Sequence, residues 1–121
     1  MLKRFLISLV VMLFSIFNSQ ERGRVSYYGA QHQGKKTASG EVFNMWSMTC
    51  ASVKYALGTR LKVTNPENNH SVIVTVNDRG AFGKYGRILD LSKGAFAKLA
   101  SVSKGVITVI VEVIQENESP N

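Results

Sequence analysis

The 121-residue sequence predicts a mostly β domain, six short strands closing into a barrel with one short helix. Three observations point there. Runs rich in β-branched residues place alternate apolar side chains on one face, as in Thr59 to Asn65, Ser71 to Val76 and Val106 to Ile114. Turn-forming clusters separate the runs, the clearest being Asn65-Pro66-Glu67-Asn68-Asn69. Each run carries a full apolar face and no obvious free edge, which a closed barrel satisfies.

Taken in order, Met1 to Ser19 reads as a signal peptide or N-terminal anchor. Lys3 and Arg4 are basic, and Phe5 to Phe17 is apolar except for Ser8 and Ser15. That run is short for a membrane span and suits an export signal. A buried N-terminal helix is the alternative, although the run shows no polar face. A domain is expected over residues 23–115, with a polar tail over 116–121. Arg24 to Tyr28 predicts the first strand, ended by Gly29. Gln31 to Gly40 predicts a loop, after which Val42, Phe43 and Trp46 can pack, Trp46 reading as core rather than surface. Ser47 to Val53 predicts a second strand. Thr59 to Asn65 predicts a third, with Leu61 and Val63 facing the core, and the Asn65–Asn69 turn joins it to the fourth as a hairpin. Ile88 to Leu91 is a short apolar strand. Ser92 is a good cap for a helix from Lys93 to Ala100 that buries Phe96 and Leu99, although Gly94 weakens it. Val106 to Ile114 closes the fold.

The central stretch is Ser71 to Leu91. It begins as a rigid strand and breaks at Asn77-Asp78-Arg79-Gly80, so Asp78 sits where a buried strand gives way to a Gly-rich loop. Binding and catalytic groups favour such a place. A turn-capping carboxylate paired with Arg79 or Arg87 is the plainer reading of the same residues. The chain has one cysteine, Cys50, which excludes an internal disulfide framework and a cysteine-based zinc site. Cys50 itself reads as a small buried hydrophobe. The formal charge of +7 favours polyanions without choosing among them. A nucleic-acid role lacks a recognition helix or an aromatic-basic motif.

Four segments then line up. They are Ser26-Tyr27-Tyr28-Gly29, Lys36-Thr37-Ala38-Ser39-Gly40-Glu41, Gly58 through Asn65, and Val76-Asn77-Asp78-Arg79-Gly80 followed by Arg87 through Ser92. In this order and at these spacings the chain resembles the rare lipoprotein A family of septal lytic transglycosylases. The resemblance runs from about Gly23 to Val113. It implies a six-stranded double-psi β-barrel, related in fold to expansins. It implies cleavage of peptidoglycan glycan between N-acetylmuramic acid and N-acetylglucosamine, with a 1,6-anhydro ring left on the muramoyl product. That chemistry uses carboxyl groups and no cofactor or metal.

By position, the resemblance makes Asp78 the catalytic acid/base and Glu41 the second active-site carboxylate. Ser52 stands where the family usually has a histidine, and a serine cannot relay a proton near neutral pH. The same motifs make Tyr28, Thr37, Ser39, Asn77 and Arg79 the expected substrate-binding residues. Tyr27 or Tyr28 could stack on a sugar, the other facing the core. His32 reads first as an exposed loop histidine and second as a group that reaches the site. Asp90 reads as structural, paired with Arg87 or loop amides. The chain also departs from the family in lacking a lipidation cysteine after the apolar run and a C-terminal glycan-binding domain. The expectation is an exported monomer, periplasmic or extracellular, whose membrane contact is limited to an uncleaved leader. The rival from another class is a non-catalytic, expansin-like wall-binding module.

Overall fold

β-branched residues alternate along most of the six runs, and the computed structural model pairs all six into one closed barrel. It describes residues 20–80 and 86–117. The expected leader and the end of the expected tail fall outside them. The strands are β1 (Gln20–Tyr28), β2 (Thr49–Ala51), β3 (Arg60–Thr64), β4 (Ser71–Asp78), β5 (Arg87–Ser92) and β6 (Ile107–Gln115). They close in the order β1-β5-β2-β4-β3-β6. β1 and β5 are parallel, as are β2 and β4. The other four pairings are antiparallel, including the predicted β3–β4 hairpin. One helix, α1 (Lys93–Leu99), follows β5 directly.

The alternation sets the core. Leu61, Val63, Val74, Val76, Val109 and Val111 are fully buried, while Ile73 between its neighbours is exposed. α1 adds Phe96 and Leu99 to the same cluster. Its cap is Ser92, whose Oγ accepts from the Ala95 amide at 3.2 Å and donates to the Ser47 carbonyl at 2.5 Å. The helix ends at Leu99, because Ala100 is already extended.

Three elements differ from the sequence reading. β1 begins at Gln20, since Gln20 to Gly23 pair with Glu112 to Val109 despite their polar, weakly periodic character. β2 is only three residues long, because Ser52 turns the chain through its own side chain. Trp46 is not core: it is 56% exposed, with the Lys93 ammonium 5.7 Å from its ring centre. Phe43 takes the buried position instead.

Gly94 has a packing reason that helix propensity hides. A Cβ there would lie 2.8 Å from the Trp46 carbonyl oxygen, and the Gly94 amide donates to the Met45 carbonyl at 2.8 Å. Backbone cannot swing aside as a side chain can. Gly94→Ala is therefore expected to destabilise by about 1–3 kcal/mol through overpacking, despite alanine's advantage of about 1 kcal/mol in a helix. Urea denaturation checks the sign.

Candidate active site

The strand register builds the site. Ser26 of β1 pairs with Asp90 of β5, Asp90 with Ala51 of β2, and Ala51 with Asp78 of β4. Four neighbouring strands thus bring Ser26, Asp90, Ala51 and Asp78 into one row. The methyl of Ala51 between two carboxylates leaves room, and a cavity of about 140 Å3 opens there. It is lined by Tyr28, His32, Ala51, Asp78, Arg79 and Asp90.

Asp78 ends β4 with one oxygen pinned. Its Oδ1 accepts from the Ala38 amide at 3.0 Å and from the Arg79 amide at 2.9 Å. Among the described residues no donor meets Oδ2, the oxygen left to the cavity. The Ala38 bond also docks the loop that carries Glu41. The Ser39 amide donates to the Asn77 carbonyl at 3.0 Å, and Gly40 turns the chain at φ +89°. Thr37 Oγ1 lies 2.9 Å from Ser39 Oγ, which donates to Glu41 Oε1 at 3.1 Å. Glu41 is exposed and lines a second, larger cavity of about 360 Å3 with Ala38, Ser39 and Gly58. The two carboxylates therefore stand at separate cavities, joined by one docked loop.

The remaining expected site residues divide by what they touch. Tyr28 lines the Asp78 cavity, but its ring stacks on buried Phe43 at 4.6 Å and meets His32 edge-on at 5.3 Å. It offers its hydroxyl rather than an open face, and that hydroxyl is buried with no hydrogen-bond partner among the described residues. Burial first, then the charges of Asp78, Cys50 and Asp90, push its ionisation far above the usual phenol range, so it stays a neutral donor. Tyr27 turns to the core against Phe96. Arg79 lines the cavity, yet its Nη1 donates to the Ser52 and Tyr55 carbonyls at 3.0 and 2.7 Å. Thr37 and Asn77 are buried and shape the loop and the strand end.

Ser52 sits beside Asp78, its amide donating to the Asp78 carbonyl at 3.0 Å. It is fully buried, and its Oγ accepts from the Lys54 and Tyr55 amides, each at 3.0 Å. A hydroxyl oxygen so engaged holds a turn. Ser52→Ala is expected to lower stability by about 1 kcal/mol by removing the acceptor of two part-buried amides, as a denaturant melt would show.

Asp90 and His32 were underrated by the sequence. Asp90 is structural as expected, its Oδ1 accepting from Arg87 Nη1 at 2.7 Å and Ser26 Oγ at 2.6 Å. It also lines the Asp78 cavity. The one signal was the loose likeness of Leu89-Asp90-Leu91-Ser92 to Asn77-Asp78-Arg79-Gly80. His32 is half-buried rather than exposed, and nothing in a polar loop's sequence says which way it folds. Cys50 is a buried core residue whose thiol is pushed far up by burial and by Asp90, which suits packing and not reactivity.

A closed six-stranded barrel with two parallel pairs is the architecture of a double-psi β-barrel. The fold is shared with the Streptomyces papain inhibitor, with a TM-score of 0.66 at 22% identity, over 81% of this chain and 96% of that one. It is shared also with an expansin of Clavibacter michiganensis, with a TM-score of 0.64 at 27% identity, over 84% of this chain and 53% of that one. Residues 20–111 match the family model described as lytic transglycolase, and the chain belongs to this rare-lipoprotein-A-like family. A protein of Vibrio cholerae named endolytic peptidoglycan transglycosylase RlpA is 44% identical over 94 residues, 78% of this chain and 35% of the relative. The Campylobacter jejuni protein of the same name is 46% identical over 92 residues, 76% of this chain and 33% of the relative. The chain thus spans about a third of the length of these curated relatives.

Proposed function

We propose that this chain cleaves the glycan strand of peptidoglycan by lytic transglycosylation. Asp78 protonates the bridging oxygen between N-acetylmuramic acid and N-acetylglucosamine. The C6 hydroxyl of the muramoyl unit closes on its own anomeric carbon, giving a 1,6-anhydro end. Asp78, left as a carboxylate, then takes the proton of that C6 hydroxyl, with Glu41 assisting from the neighbouring cavity. The observation that carries this reading is Asp78 itself, with Oδ1 fixed by two amides, Oδ2 met by no donor among the described residues, and the residue lining a cavity beside Asp90 and Arg79. The names of the relatives support the substrate class. Thr37, Ser39 and Asn77 serve by holding the Glu41 loop on the strand end, Tyr28 by a neutral hydroxyl in the cavity, and Arg79 and Ser52 by fixing the turn beside Asp78. The protein works outside the cytoplasm as a monomer, delivered by Met1 to Ser19.

One observation favours a second reading. The Ser52 hydroxyl is taken up by turn amides, so that position brings no proton carrier to Asp78. A non-catalytic wall-binding module would tolerate this. Digestion of purified sacculi followed by mass spectrometry of the soluble fraction separates the two. The enzyme releases anhydro-muropeptides; the binding module sediments with sacculi and releases nothing.

A further inference from the structure

The Asp78 cavity holds one more proton carrier. His32 closes a short turn, Ala30–His32, that the main chain fixes at both ends. Its amide donates to the Gly29 carbonyl at 2.9 Å, and its carbonyl accepts from the Lys35 amide at 3.1 Å. The imidazole packs edge-on against Tyr28, which stacks in turn on buried Phe43. The ring is therefore held by aromatic packing and not loose on a loop. Its Nδ1 is buried and has no hydrogen-bond partner among the described residues, and the same is true of the hydroxyl of Tyr28. Both residues line the 140 Å3 cavity with Asp78, Asp90 and Arg79. Buried polar atoms without partners are rare, and each asks what it bonds. Two of them on residues of one small cavity, beside two carboxylates, fit a hydroxyl-bearing ligand. The volume admits the hydroxymethyl edge of a sugar more readily than a whole ring.

We infer that His32 is a catalytic residue of this chain, taking through Nδ1 the proton of the sugar hydroxyl that attacks while Asp78 protonates the departing oxygen. The inference rests on the transglycosylation reading above and gives the first proton uptake to His32 rather than to Asp78 assisted by Glu41. The groups facing His32 across the cavity are Tyr28 on β1, Asp78 and Arg79 at the end of β4, and Asp90 on β5. Tyr28 stays neutral, Asp90 is bonded to Arg87 and Ser26, and Arg79 to two carbonyls. Among the described lining residues, that leaves the imidazole and Asp78 to exchange protons, and imidazole is the side chain suited to do so near neutral pH. The step balances without water. The C6 oxygen bonds to the anomeric carbon and the bond from that carbon to the bridging oxygen breaks. Asp78 gives its proton to the bridging oxygen, and Nδ1, in the tautomer with hydrogen on Nε2, takes the hydroxyl proton. The imidazolium then returns that proton to the Asp78 carboxylate.

The test uses His32→Gln, which keeps hydrogen bonding, and His32→Phe, which keeps an aromatic ring, with His70→Gln as the control on the exposed β3–β4 hairpin. Both His32 variants are expected to lose about a hundredfold in anhydro-product release, the scale of a general base. Circular dichroism should stay unchanged, and the acid limb of the wild-type pH profile should be absent from the residual activity. His70→Gln should match wild type. Full activity in a folded His32→Gln, with the wild-type pH profile, overturns the inference. A readout independent of turnover is the NMR signal of the His32 imidazole, with the two histidines assigned through His70→Gln. Adding a soluble anhydro-muramoyl disaccharide should move the His32 signal in wild type and leave the His70 signal in place. If wild type releases no anhydro product, the function reading fails and this signal alone judges the site: a moved His32 signal upholds it, an unmoved one overturns it.

Discussion

Asp78→Asn is expected to lower anhydro-product release at least roughly a hundredfold, as loss of a general acid does, while the barrel stays folded. Asparagine keeps the Oδ1 acceptor, so the amides of Ala38 and Arg79 retain their bonds and the Glu41 loop stays docked. What changes is the group turned to the cavity: an amide nitrogen replaces Oδ2 and cannot deliver a proton to a glycosidic oxygen. Stability should move by less than about 2 kcal/mol, as for an ordinary substitution. Binding to sacculi should persist, since the substitution leaves the docked Glu41 loop and the other residues lining the cavity in place. Product release by mass spectrometry and thermal melts measure the two halves. A variant that unfolds would mean that Asp78 serves the turn, the plainer reading of Asn77-Asp78-Arg79-Gly80.

Phe96→Ala is expected to do the reverse and take away the fold. Phe96 is the largest side chain that α1 delivers to the barrel, fully buried, with its ring 4.8 Å from that of Tyr27. Truncating a buried phenylalanine costs about 3–5 kcal/mol, part lost transfer energy and part cavity. Small domains have only about 5–15 kcal/mol in total. At about 4–8 °C per kcal/mol, the melting temperature should fall by at least roughly 12 °C. Activity should then be lost only as the protein unfolds. A near-normal melt would mean that α1 does not close the core.

The two substitutions mark what the sequence could and could not say. Phe96 and the strand cores were legible because burial leaves a periodic trace: Leu61 and Val63, Val74 and Val76, Val109 and Val111 alternate with less buried neighbours. The Asn65–Asn69 hairpin was legible from its turn residues. The double-psi topology and the pair Asp78 and Glu41 came from resemblance, since no local pattern says that β1 will lie beside β5. The cavity itself was out of reach for the same reason. Ser26, Asp90, Ala51 and Asp78 are far apart in the chain and meet only through register. His32 depends on how a polar loop folds back, and Ser52 on a side chain bonding the backbone two and three residues on. Trp46 misled because hydrophobicity does not distinguish a core ring from one lying on the surface beside Lys93.

The most direct test of the central claim is digestion of purified sacculi in heavy-oxygen water, with mass spectrometry of every glycan end released. Intramolecular attack by the C6 hydroxyl draws no oxygen from solvent. Lytic transglycosylation by Asp78 gives 1,6-anhydro ends without label, in amounts that Asp78→Asn lowers about a hundredfold. Labelled reducing ends would show hydrolysis, and sedimentation with sacculi without any released ends would show a binding module; either result contradicts it.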